Sequence, residues 1–296
     1  MSTLKLIWQG PQADLERLDV LLSEVLFPPS DAVTLLKDDS SASDADAAWS
    51  LHAYFTDRPD QQELDSILTD YGLGHLDAAT VEDLPDQDWV AHALEGLGVV
   101  QSGLFVLYGS HDAAKADALP GLKVQIEANR AFGTGHHPTT AGCLDALSRL
   151  EKFNPESVLD VGTGSGVLAI AARRLWADAG IIGTDIDAPS VTIAAENAAT
   201  NGVDDITFIE ADGLGSVTEN GRRFPLILAN ILAEPLMMLA PQIADALARD
   251  GRVVLAGLLD RQAEGVLDAY RQVGLVEYDR VSDATWPVLL LRRDDA

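Results

Sequence analysis

The segment Val158-Leu159-Asp160-Val161-Gly162-Thr163-Gly164-Ser165-Gly166-Val167-Leu168-Ala169-Ile170 constrains the fold more than any other stretch of the chain. An apolar, β-prone half runs into three glycines at alternate positions. Apolar residues at helical spacing follow, through Val167, Ile170 and Ala171. That order predicts a strand, a tight turn and a helix start. Glycine lets the backbone approach a ligand where a Cβ would clash. The helix behind it aims its first N–H groups at the same spot. The segment therefore predicts a nucleotide-type cofactor site in an α/β fold.

The glycine spacing narrows the cofactor. A dinucleotide fingerprint needs Gly-x-Gly-x-x-Gly. Gly162 and Gly164 fit, but Val167 stands at the third position and glycine comes one residue early, at Gly166. A nucleophile elbow around Ser165 fails because residues 163 and 167 are Thr and Val. No lysine follows the glycines, so a P-loop fails too. Gly-x-Gly-x-Gly preceded by Asp160 resembles the cofactor loop of the S-adenosylmethionine methyltransferases. Asp185 stands at the end of the next strand, where a carboxylate can accept both ribose hydroxyls of a bound adenosine.

From Val158 onward strands and helices alternate. Strands are predicted near 158–161, 180–186, 206–211, 225–231, 252–259, 275–281 and 287–292. Helices are predicted near 166–177, 188–201, 235–249 and 261–273. Asp187 before a helix, Pro189 in its first turn and Gly202 after it punctuate this reading, as do Pro235 and Asp250-Gly251. Alternation implies a mainly parallel sheet covered on both faces. The last two strands are separated only by a turn near 283–285, so the final strand is expected to be antiparallel, as in the methyltransferase version of this fold.

The first 82 residues differ. A strand at 3–9 leads into a helix opened by Pro11, with Leu15, Leu18, Leu22, Val25 and Leu26 on one stripe. Strands at Ala32–Leu36 and Ser50–Phe55, a helix Gln61–Tyr71 and a strand Leu76–Val81 complete β-α-β-β-α-β, a ferredoxin-like α+β unit. Lys37 to Asp46 reads as a polar hairpin loop. Asp86–Leu97 reads as a helical connector, Val99–Tyr108 as a strand pair, and His111–Leu119 as a surface loop. The expected domains are 1–82, a linker 83–98, and a cofactor-binding domain 99–296.

Hydrophobic residues make up 47% of the 296, enough for a sizeable core. No apolar run approaches a membrane span, and the N-terminus lacks a signal-peptide core, so a cytoplasmic protein is expected. Cys143 is the only cysteine, which suits a reducing compartment, and its mid-helix position predicts a core residue. A net charge of −27 repels phosphate backbones and argues against a nucleic-acid partner. It would attract a basic protein, although an acidic proteome is the simpler account.

Two further motifs carry a closer likeness. Ala131-Phe132-Gly133-Thr134-Gly135-His136-His137-Pro138-Thr139-Thr140 leads into a helix expected at Ala141–Leu150. Leu228-Ala229-Asn230-Ile231-Leu232-Ala233-Glu234-Pro235-Leu236 ends the fourth strand. Together they resemble the ribosomal protein L-eleven methyltransferases, the PrmA family, which carry Phe-Gly-Thr-Gly-Thr-His-Pro-Thr-Thr and Val-Ala-Asn-Ile-Leu-Ala-x-Pro-Leu at these places. The chain departs at His136, where the family has threonine, and in the lead-in Glu127–Phe132. The likeness is read from about Trp89 onward and is weaker before it.

The resemblance implies that Thr140, Gly162, Asp185 and Asn230 contact S-adenosylmethionine. The 131–140 loop would fold over its methionine part, with Phe132 against it and Gly133, Thr134 and Gly135 alongside. Asp160, Gly164 and Gly166 complete the expected cofactor set. It also implies a large-subunit ribosomal protein as substrate, gripped by the N-terminal module, and methyl transfer to lysine or N-terminal amino groups. A monomer is expected, with no metal, since the adjacent His136 and His137 point apart on an extended chain. No general base stands beside the Asn-Ile-Leu-Ala turn, so a neutral amine oriented by Asn230 is expected, with His137 as a candidate proton relay. Asp212 is a candidate for the adenine amino group. The competing readings are a methyltransferase of another protein or small molecule and a non-enzymatic cofactor-binding regulator, with a nicotinamide oxidoreductase behind them.

Overall fold

The computed structural model describes residues 3–26, 30, 32–37, 49–55, 58–84, 98–127, 138–281 and 285–294. Most of the expected hairpin loop, the Asp86–Leu97 connector and residues 131–137 of the second motif lie outside them. Two compact units divide the chain, Met1–Leu97 and Gly98–Ala296.

In the first unit, β1 (Thr3–Gly10), β2 (Ala32–Lys37), β3 (Trp49–Phe55) and β4 (Thr80–Leu84) form an antiparallel sheet in the order β2-β3-β1-β4. α1 (Gln12–Val20) and α2 (Gln61–Asp70) complete the ferredoxin-like order. Asp60 caps α2 by accepting the N–H groups of Gln62 and Glu63 at 2.9 and 3.0 Å. Leu15, Leu18, Leu22 and Leu26 are buried as expected, but Val25 is only half-buried and Leu21 is buried in its stead. A π-turn over Leu21–Val25 inserts one residue and rotates the stripe. The last strand starts four residues later than expected. Leu76 and Ala79 pack on the core from irregular chain, so their apolarity marks burial without strand pairing.

In the second unit, seven strands run in the order β10-β9-β8-β11-β12-β14-β13. They are β8 (Ser157–Val161), β9 (Gly180–Asp185), β10 (Thr207–Glu210), β11 (Phe224–Asn230), β12 (Leu247–Ala256), β13 (Leu275–Val281) and β14 (Val288–Arg293). The pairs from β10 to β12 are parallel, and β14 is antiparallel to both its neighbours. Val158 and Leu228 face one core layer, with residues of α4 (Pro138–Arg149) and α5 (Val167–Leu175); Leu159 and Ile227 face the other, with α7 (Ala233–Ala246) and α8 (Asp260–Gln272). The alternation along β8 and β11 is what a sheet covered on both faces requires. α6 (Ala188–Thr200) connects β9 to β10.

Four expectations fail locally. α7 stops at Ala246, and Leu247 already pairs with Phe224 in β12. Register shifts between Leu247 and Arg252, so Asp250-Gly251 marks an irregularity inside β12 and not a helix end. The segment read as a surface loop contains a short helix, α3 (Ala113–Asp117), with Ala116 buried. The strand pair β5 (Val100–Ser102) and β6 (Phe105–Tyr108) gains a third member, β7 (Leu122–Gln125), parallel to β6. α4 also begins at Pro138 and not Ala141, which puts Thr140 inside its first turn.

Candidate active site

The C-terminal ends of β8, β9 and β11 meet in one place, where open α/β sheets bind ligands. The turn after β8 is tied down by the chain itself. Asp160 is 1% exposed, and its Oδ2 accepts the Thr163 hydroxyl at 2.7 Å and the Ala169 N–H at 3.1 Å. The carboxylate thus clamps both ends of the glycine turn from behind. Burial pushes its pKa up from 3.8 to about 7, against the pull of those two hydrogen bonds and with a smaller push from the Asp185 charge. Thr163 N–H donates to the Thr184 carbonyl at 2.9 Å, joining the turn to β9.

Asp185 ends β9 with its carboxylate half-buried at the turn. Its Oδ2 accepts the Gly164 N–H at 2.8 Å and its Oδ1 accepts the Asp187 N–H at 3.0 Å. Asp187 in turn caps α6 through the N–H and hydroxyl of Ser190, at 3.0 and 2.8 Å. Ile186, next in the chain to Asp185, is 71% exposed.

Asn230 is fixed through its neighbour. Ile231 threads between two glycines: a Cβ on Gly162 would lie 2.2 Å from its Cγ2, and one on Gly257 2.3 Å from its carbonyl oxygen. Both glycines have positive φ, +68° and +84°. No other residue fits either position. Gly257 was not singled out in the sequence, since a lone glycine after a strand carries no motif.

The remaining feature is a deficit. Asn230 Oδ1 and Thr140 Oγ1 are buried, in side chains 8% and 0% exposed, and neither has a hydrogen-bond partner in the described structure. α4, which carries Thr140, packs against β11, which carries Asn230. An unpaired buried acceptor or hydroxyl costs ~1–3 kcal/mol, so orphans at the rim of a site mark places for ligand atoms.

The structure therefore brings Gly162, Gly164, Asp185 and Asn230 together, buries Asp160 behind the turn and packs Gly166 against Ala194 of α6. Phe132, Gly133, Thr134 and Gly135, with His136 and His137, lie outside the described residues. Asp212 is exposed beyond β10. Cys143 is core, 1% exposed, with its thiol pKa pushed up by burial. Among the described residues no group of three His, Cys, Asp or Glu could hold a metal, and no helix is long and apolar enough to cross a membrane.

A sheet of this order with one reversed strand, carrying a glycine turn and an acidic residue on adjacent strand ends, defines a class I methyltransferase fold. The family model for ribosomal protein L11 methyltransferase (PrmA) matches residues 28–294. A "Ribosomal protein L11 methyltransferase" of Brucella melitensis is 40% identical over 302 aligned residues, covering 99% of this chain and 100% of its own. One from Bradyrhizobium diazoefficiens is 41% identical over 288, covering 96% and 95%. A crystal structure of a ribosomal protein L11 methylase from Lactobacillus delbrueckii subsp. bulgaricus matches at 32% identity with a TM-score of 0.59, covering 67% of this chain and 99% of that one. The chain belongs to the ribosomal protein L11 methyltransferase family. The likeness also reaches into the first unit, beyond the Trp89 boundary drawn from the motifs.

Proposed function

We propose that this chain transfers methyl groups from S-adenosylmethionine to amino groups of ribosomal protein L11, on lysine side chains, the N-terminal α-amino group, or both. Family membership supports the substrate, and the unpaired Asn230 carboxamide oxygen supports the amine. The residues fit the cofactor: Asp185 for the ribose hydroxyls, the turn from Gly162 to Gly166 for close backbone approach, and Thr140 Oγ1 as an unpaired buried group. S-adenosylmethionine supplies an electrophilic methyl on sulfur, so the protein's task is to position donor and acceptor in line.

The amine must arrive without its proton. A lysine with pKa ~10.4 is neutral about once in 10³ at pH 7, a cost of roughly 4–5 kcal/mol, whereas an α-amino group near ~7.7–8 pays only ~1–1.4 kcal/mol. Asn230 Oδ1 accepts an N–H of the neutral amine and turns its lone pair towards the methyl. An ammonium has no lone pair to present, so only the neutral form reacts. The N-terminal module, residues 1–82, grips the substrate protein, and the enzyme works in the cytoplasm as a monomer without binding nucleic acid directly.

Labelled methyl from S-adenosylmethionine should enter purified ribosomal protein L11 and not ribosomal RNA. Label in RNA alone would refute the substrate, and no label in either would refute the activity. Mass spectrometry of the labelled protein then identifies the modified amines.

A further inference from the structure

α6 crosses behind the glycine turn, and two asparagines lie one helical turn apart, Asn197 within the helix and Asn201 at its C-cap, 2% and 9% exposed. Asparagine is a weak helix former and is expensive to bury without partners. Both are fully engaged, in different ways. Asn197 Nδ2 donates to the Ser165 carbonyl at 2.9 Å, inside the glycine turn. Its Oδ1 accepts the Glu127 N–H at 3.2 Å, just past the end of β7. Asn201 Oδ1 accepts the Gln125 N–H at 3.0 Å, and its Nδ2 donates to the Gln125 carbonyl at 2.6 Å and to the Asn197 carbonyl at 2.8 Å. Among the described residues Asn201 makes no bond to the glycine turn.

A second contact puts the same face of α6 on the turn. A Cβ on Gly166 would lie 3.0 Å from the Cβ of Ala194, one turn before Asn197. Ala194 sets how close the turn lies, and the Asn197 carboxamide sets how its peptide planes are rotated.

We infer that Asn197 is a positioning residue for the cofactor turn: its carboxamide N–H holds the Ser165 carbonyl and so fixes which backbone groups the turn presents to S-adenosylmethionine. Asn201 performs only the structural half of this work, fastening β7 to α6. The inference rests on the glycine turn being the S-adenosylmethionine site.

Asn197→Asp separates the two halves. Aspartate keeps an acceptor for Glu127 at every pH, but it can donate to the Ser165 carbonyl only when protonated. Asn201→Asp makes the same change one turn away. Affinity for S-adenosylmethionine is read by calorimetry on the full chain at pH 6 and pH 9, with thermal melts of each variant. Asn197→Asp should bind about tenfold more weakly than wild type at pH 9, where its carboxylate is ionised, the factor one ordinary hydrogen bond carries, and should regain affinity as pH falls towards that carboxylate's own pKa. Asn201→Asp should melt lower but bind within about twofold of wild type at both pH values. Asn197→Ser, which leaves the Ser165 carbonyl unbonded, should bind about tenfold more weakly at both, and stands in if the aspartate unfolds at pH 9. The inference is overturned if Asn197→Asp and Asn197→Ser bind as wild type does, or if Asn201→Asp shows the same pH-dependent loss. Failure of the wild type itself to bind S-adenosylmethionine would instead overturn the cofactor reading.

Discussion

The two halves of the site are built in opposite ways. At the ends of β8 and β9 the polar groups are spoken for: Asp160 holds Thr163 and Ala169, Asp185 holds Gly164 and Asp187, and Asn197 holds Ser165. At the end of β11 and the start of α4, Asn230 Oδ1 and Thr140 Oγ1 are buried without partners among the described residues. The first half is complete before any ligand arrives. Such preorganisation spares a bound cofactor the cost of ordering its own cradle. The second half carries the cost of unpaired groups, and that cost is recovered only when ligand atoms fill it. Mutations should therefore divide cleanly. Those that break the hydrogen bonds of the first half damage folding and binding together, and those in the second half damage function while sparing stability.

The largest expected loss is at the steric pivot between the halves. Gly162→Ala places a Cβ 2.2 Å from Ile231 at a φ of +68°. We expect a loss of about 3 kcal/mol in denaturant unfolding, with cofactor affinity abolished. A variant as stable as wild type would mean that Ile231 does not fix Asn230.

Asp160→Asn tests the first half through pH. Because the folded-state pKa of Asp160 is raised from 3.8 to about 7, the native state holds this proton more tightly than the unfolded chain. The stability it contributes is therefore fully present below about pH 4 and is lost as pH rises to about 7. Asparagine does not ionise. The variant should match wild type at pH 4 and exceed it by up to ~4 kcal/mol at pH 8. Parallel stability curves across that window would show that Asp160 ionises without penalty.

Thr140→Val is the mildest test. It removes an unpaired buried hydroxyl, so the melting temperature should hold or rise by a few degrees. Affinity for S-adenosylmethionine should fall about tenfold if the hydroxyl bonds the cofactor. A lower melting temperature with unchanged affinity would move Thr140 into the structural half.

The preorganised half was legible in the sequence because it is local. Alternating glycines, a preceding Asp160 and an Asp185 one βα unit later fix a turn whatever surrounds them. The alternation of strands and helices along the second unit followed from periodicity for the same reason. What escaped was set by distant partners. Leu76 and Ala79 read as strand because they are apolar, yet β4 begins where Thr80 meets Ile7. Asp250-Gly251 read as a helix stop, yet Phe224 draws Leu247 into the sheet first. Asn197 resembles any helical asparagine until Ser165 and Glu127 are placed beside it. A faint signal was present, two asparagines four apart on the face that also carries Ala194 and Ala198. The unpaired state of Asn230 and Thr140 was not legible at all, because a missing partner is a property of three-dimensional packing.

The division of labour is tested most directly by measuring S-adenosylmethionine affinity and methyl-transfer rate on the same two variants. Asp185→Ala should lose affinity by about 10²-fold. Asn230→Ala should keep its melting temperature and lose less than about tenfold in affinity, yet turn over L11 about 10²-fold more slowly, because an unaligned amine misses the in-line path. Undiminished turnover by Asn230→Ala, with cofactor bound, would contradict the account.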